Sequence, residues 1–112
     1  MAVQDVSSGS DVRSMVSEEE WQTRIDLAVA YRLISHFGFD DLTYNHLSAR
    51  VPGEPEHMLI KPVNIMFSEV TASSLIKYDL DGNPITEGAP QLWGGGFVIH
   101  CGVMKERPDV NA

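Results

Sequence analysis

The sequence predicts an α/β fold in which helices pack on a sheet, and three observations carry that prediction. Apolar residues recur every three or four positions from Trp21 to Ile34, alternate with polar ones from Leu47 to Val51, and return to a helical period between Phe97 and Arg107. With 112 residues, 43% of them hydrophobic, the chain has apolar material for one small core and thus for one domain.

The elements follow in order. Residues 1–16, centred on Ser7-Ser8-Gly9-Ser10, lack apolar periodicity and read as a disordered lead-in to a domain over 17–112. Ser17 and Glu20 have the spacing of a capping box, in which the hydroxyl accepts from the third helical amide and the carboxylate reaches back to the cap. From there Trp21, Ile25, Ala28 and Tyr31, widened by Leu27 and Ile34, form the buried stripe of a helix that Gly38 ends in the left-handed conformation. Leu47, Ala49 and Val51 then mark a half-buried strand, and Pro52-Gly53 turns the chain. Met58-Leu59-Ile60 is a second short strand stopped by Pro62, and Thr71 caps one helical turn through Ser73-Ser74. The stretch from Leu75 to Leu80 is strand again, and Asp81-Gly82-Asn83 makes a tight turn that brings Pro84-Ile85-Thr86 back beside it. Phe97 to Arg107 reads as an amphipathic helix that Pro108 ends.

Composition excludes several function classes. The formal net charge is −8 and the eight basic residues are scattered, which opposes a nucleic-acid partner and an anionic membrane surface alike. The single cysteine, Cys101, allows no internal disulfide and fits a reducing compartment; in the closing helix it reads as a packed thiol. No apolar run approaches the roughly 20 residues needed to span a bilayer. The first residues have neither the basic and apolar regions of a signal peptide nor the acid-poor composition of a transit peptide, so the cytoplasm is the expected location.

Candidate chemistry is sparse. Gly94-Gly95-Gly96 precedes the closing helix, where amides can hold an anion, but three glycines match neither the dinucleotide nor the Walker pattern and read as a flexible turn. His36, His46, His57 and His100 never fall at the H-x-H or H-x-x-x-H spacing that directs two imidazoles at one metal. His100 shares a predicted helix face with Phe97 and Met104 and reads as a buried, hydrogen-bonded histidine. Glu69 reads as a solvated or cap-supporting carboxylate. Asn45, Ser48 and Arg50 would be an anion-friendly cluster if they lined one loop, with His46 and Asn64 as further members.

Three stretches carry a resemblance. WQTRIDLAVAYRLISHFGFDDLTYNHLSARVP, MLIKPVNIMFSEVTASSLIKYDLDGN and GFVIHCGVMKERPDVNA resemble successive blocks of the class II aldolase/adducin domain, over Trp21 to Ala112. The resemblance implies a three-layer α/β/α sandwich with a largely antiparallel central sheet, incomplete in this chain, and assembly as a homo-oligomer. Enzymes of the family include L-fuculose-phosphate aldolase, L-rhamnulose-1-phosphate aldolase and L-ribulose-5-phosphate 4-epimerase. Adducin, which binds actin and spectrin, uses the same domain without known catalysis.

The family's functional residues, carried onto this sequence, leave gaps. A divalent metal, usually zinc, is implied for a full-length parent, held by an H-x-H pair just beyond the RPDVNA block and by a later histidine; the 112 residues stop short of both. The family's acid/base glutamate falls at Gly96, which has no side chain to move a proton. Its phosphate loop, G-N-L-S-x-R, falls on Asn45 to Arg50, its Thr-Gly pair on Val63-Asn64 and its Ser-Ser pair on Gly94-Gly95. This pattern resembles the adducin-like branch. Three expectations follow: the front of a metal-dependent lyase or epimerase for small hydroxy-carbonyl compounds, this portion being inactive by itself; a noncatalytic domain for self-association or cytoskeletal binding; or a nonfunctional gene fragment.

Overall fold

The computed structural model describes residues 10–112, with the order α1 (Ser10–Met15), α2 (Glu18–His36), β1 (Ser48–Val51), β2 (Glu54–Ile60), β3 (Ile76–Asp79) and α3 (Gly102–Glu106). The strands form one sheet in the order β1-β2-β3, antiparallel throughout. The helix α1 lies inside the stretch that the sequence reads as disordered, and this corrects that reading for residues 10–15. Six residues are too few for a stable isolated helix; Arg13 reaches Glu18 at 3.6 Å and lies over the Trp21 ring, tying α1 to α2. Residues 1–9 of that stretch lie outside the described residues.

Half of the capping box forms. Ser17 Oγ accepts from the Glu20 amide at 3.0 Å, but the Glu20 carboxylate turns inward to Arg24 and Lys77 instead of back to the cap. At the other end Gly38 sits at φ +75°, its amide bonded to Ser35 and that of Phe39 to Ile34, which is the paired closure of a Schellman motif. Between these ends α2 buries Trp21, Leu27, Ala28 and Tyr31. The Tyr31 hydroxyl donates to the Leu47 carbonyl and accepts from the amides of Leu47 and Lys61, so one side chain fixes α2 to the start of β1 and the end of β2. Burial, only partly offset by these bonds, pushes its pKa up to about 12.

Side chains from opposite faces of β2 enter different apolar clusters. Leu59 joins α2 through Leu27, Ala28 and Tyr31, while Met58 and Ile60 join Tyr78, Leu92, Cys101 and Met104. Strand β1 departs from the expected half-exposed pattern, since all four of its residues are buried. Ala49 and Val51 face the α2 cluster, and the alternating Ser48 and Arg50 are covered by residues 100–110.

The hairpin turn forms as expected, with Gly82 at φ +85° and the Asp79 carboxylate accepting from the amides of Asp81 and Asn83. Its returning arm makes a single bridge, Tyr78 to Pro84, rather than a strand. Proline supplies no amide to extend the ladder. The closing helix also differs: Gly96–Cys101 is a π turn and only Gly102–Glu106 is α-helical. This winding leaves Val98 and Ile99 exposed, buries Cys101 and Met104, and sets His100 half-buried toward β1.

Candidate functional site

Where β1 meets the π turn, three polar side chains join in a row. Ser48 Oγ lies 2.6 Å from His100 Nδ1, and His100 Nε2 lies 2.7 Å from His46 Nδ1. Their contact needs the whole fold: His46 and Ser48 flank Leu47, whose backbone is pinned by Tyr31, and His100 arrives on the π turn. Single π turns inside helices occur frequently at functional sites. The row divides two clefts. One, of about 430 Å³, is lined by Ser48, His100, Leu27, Ile99 and Met104; the other, of about 410 Å³, by Thr43, Lys61, Trp93 and the glycines 94–96; His46 belongs to both.

Burial lowers the pKa of both histidines, aided at His46 by the nearby Lys61 charge and at His100 by His46. Lys61 is itself buried, and its ammonium donates to the carbonyls of Thr43, Pro62 and Ile65, one for each proton. It therefore gives the second cleft positive charge with its donors already committed. Burial lowers its pKa as well.

The anion-friendly cluster expected from the sequence does not assemble as such. His46 and Ser48 come together, but Asn45 knots its own loop, accepting from the Asp41 amide at 3.0 Å and donating to the Phe39 carbonyl at 3.1 Å. Arg50 turns every guanidinium nitrogen to main-chain carbonyls: Nε and Nη2 to Val110, Nη1 to Pro55, and Nη2 also to Met104 and Arg107. It is a structural staple whose nitrogens are all directed at carbonyl dipoles of the chain. Asn64 stands exposed after Pro62, on a cleft with Ile76 and Tyr78 that adjoins the Lys61 cleft and shares Lys61, Leu92 and Trp93 with it. Glu69 accepts from the Met66 amide at 2.8 Å, capping a 3-10 turn.

His100 was the residue missed as a site member. Its predicted neighbours on an α-helical face hid it, because a π turn cannot be read from local spacing. Gly96 is packed closely: a Cβ there would stand 3.1 Å from Leu92 Cδ1 and 3.7 Å from Ile60 Cδ1. Cys101 is buried, and burial pushes its thiol pKa up.

The described residues do not fit a divalent metal. Among them no group of three or more His, Cys, Asp or Glu side chains converges, and the two imidazoles that do meet direct their nitrogens at each other. Nor is any described helix long and apolar enough to cross a membrane.

The sequence matches the family described as Class II Aldolase and Adducin N-terminal domain over residues 25–112, and the chain belongs to that family. A Caulobacter vibrioides protein assigned provisionally to the class 2 aldolases is 46% identical over 100 residues, covering 89% of this chain and 39% of that relative. Mouse alpha-adducin is 46% identical over 88 residues, 77% of this chain and 12% of its own length. Among solved structures, an aldolase II superfamily protein from Pseudomonas syringae superposes with a TM-score of 0.82 at 42% identity, covering 89% of this chain and 41% of that one. L-fuculose 1-phosphate aldolase from Glaciozyma antarctica gives 0.73 at 30% identity, covering 93% and 41%. The α/β fold matches both, and the chain spans about two fifths of the class 2 relatives' length.

Proposed function

We propose that these residues form the front of a three-layer class II aldolase/adducin domain whose parent protein acts as a lyase or epimerase on a small hydroxy-carbonyl compound. The observation that carries this reading is the cleft where His46, the charge of Lys61 and the glycine run meet, on a scaffold 30% identical to L-fuculose 1-phosphate aldolase. A positive wall and imidazoles next to backbone amides suit an oxygen on which negative charge develops. The divalent metal that would polarise such a substrate has no ligand set among the described residues, so it would be held by a longer parent chain. By itself the 112-residue chain is inactive in this reading. The test is to read the gene beyond the codon for Ala112 and assay the longer product with hydroxy-aldehydes and hydroxy-ketones, with and without added zinc. Cleavage or epimerisation that needs both the added segment and metal supports the reading; a longer product that binds zinc and turns over none of these compounds sinks it.

A second reading has its own support. The 46% identity to mouse alpha-adducin and the exposed Phe37, Phe39, Leu42 and Tyr44 around the end of α2 favour a noncatalytic domain used for self-association or cytoskeletal contact. Sedimentation of the longer product, alone and with actin filaments, decides it: a stable oligomer or co-sedimentation without catalysis favours this reading, and an inert monomer that does not co-sediment excludes it.

A further inference from the structure

The hydrogen-bonded row has a direction. Ser48 is 6% exposed, and a buried hydroxyl keeps its proton in a hydrogen bond, so Ser48 donates and His100 Nδ1 accepts. His100 then carries its proton on Nε2 and gives it to His46 Nδ1, which leaves the His46 proton on Nε2. That atom lies against the glycine run: a Cβ on Gly95 would stand 3.7 Å from it. The row thus ends in an N–H at the wall of the Lys61 cleft, beside the glycine run 94–96.

We propose that His46 is the proton-transferring residue of this site, with His100 and Ser48 as the positioning residues that fix its tautomer. The proposal rests on the hydroxy-carbonyl reading above. As charge develops on the substrate oxygen, the Nε2–H bond of His46 breaks and an O–H bond forms. His46 Nδ1 takes the Nε2 proton of His100, and His100 Nδ1 takes the hydroxyl proton of Ser48. A water in the cleft on the Ser48 side returns a proton to Oγ and leaves as hydroxide, so one solvent proton reaches the substrate and no electrons change hands. Gly96 has no side chain to carry this function, while Gly95 leaves room at Nε2. Among the described residues, the titratable groups facing His46 are Lys61 at the end of β2 and His100 on the π turn.

The test uses the 112-residue chain labelled with 15N-histidine and followed by NMR, with dihydroxyacetone as the probe. Both His46 and His100 should be Nε2–H tautomers, and Ser48→Ala should give His46 mixed tautomers in a folded chain, which a merely structural role would not do. Saturating dihydroxyacetone should move the His46 Nε2 resonance together with the Gly95 amide. Gly95→Ala, sterically allowed at φ −61°, should weaken that binding at least tenfold with both tautomers unchanged. An Nδ1–H tautomer at His46 overturns the proposal. So does binding that moves the Gly94–Gly96 amides with His46 Nε2 unmoved, and in that case the substrate class stands. If no resonance moves at any concentration, the role of His46 falls, and the substrate class is decided separately by the zinc assay of the longer product.

Discussion

The Glu20 carboxylate stands 2.6 Å from the Lys77 ammonium, joining the first turn of α2 to the middle of β3. Its other oxygen accepts from Arg24 Nε at 2.8 Å, and Lys77 continues to Glu54 at 2.9 Å. Burial works to lower the Lys77 pKa, and hydrogen bonds to Glu20 and Glu54 outweigh it and hold the pKa above its usual range.

Because Glu20 and Arg24 are 1% and 3% exposed, removing the carboxylate leaves the buried Arg24 guanidinium with the carbonyls of Ala72 and Leu75 alone and Lys77 with Glu54 alone. Glu20→Ala is expected to cost about 4 kcal/mol in urea unfolding. The triple replacement Glu20→Met, Arg24→Met and Lys77→Met should recover most of that loss, because a uniformly apolar cluster leaves no charge unpaired. A triple variant less stable than Glu20→Ala would show that the network contributes more than mutual compensation.

Tyr31→Phe keeps the ring against Phe67 and loses three hydrogen bonds, leaving the amide and carbonyl of Leu47 without that partner. A loss of about 2 kcal/mol is expected at pH 7. The pH dependence has a definite sign: with a folded pKa of about 12 against about 10 unfolded, the wild type keeps its stability below pH 10 and loses it as pH rises toward 12. Over that window the difference between wild type and Tyr31→Phe should shrink in paired melts. A constant difference would mean that the hydroxyl is not buried.

The histidine pair gives the opposite edge. Both folded pKa values are depressed, so the stability they support is present above the unfolded value of about 6.5 and lost as pH falls below it. Denaturant titrations from pH 7.5 to 5 should show wild-type stability falling and His100→Gln flatter. Equal slopes would remove the pair from this part of the pH profile.

A glutamate at Gly96 should destabilise the fold. The side chain would meet Leu92 and Ile60 first, and a loss of about 2–3 kcal/mol is expected for Gly96→Glu, partly recovered when Leu92→Ala makes room. Gly96→Ala should stay within about 1 kcal/mol of wild type, since the gain in helix propensity offsets a small shift of Leu92. Thermal melts of the three variants decide this.

The local rules found the backbone elements and lost the long-range ones. Ser17, the stripe from Trp21 to Tyr31 and Gly38 located α2, because cap and period act within a few residues. The turn at Asp81-Gly82-Asn83 was legible for the same reason. Glu20 was read as a cap partner although Arg24, four positions on, already offered the competing ion pair, and that spacing was visible. Arg50 could not be read, since the carbonyls of Met104, Arg107 and Val110 that hold it belong to a segment distant in sequence. His100 was concealed by a winding that adds a residue to the turn, so its α-helical neighbours were the wrong ones. Family resemblance marked the loop from Asn45 to Arg50 as a place of interest, but packing decided that Asn45 and Arg50 brace it while His46 and Ser48 face the clefts.

The staple made by Arg50 also orders events in time. During synthesis β1 emerges well before Met104, Arg107 and Val110, so the guanidinium waits in water until those carbonyls leave the ribosome. Domains fold as their segments become available, and an early unpaired strand edge invites association with other nascent chains. A hydrated cation in β1 keeps that edge wet until its own partners arrive, and docking of the segment from Met104 to Val110 is the step that dries it.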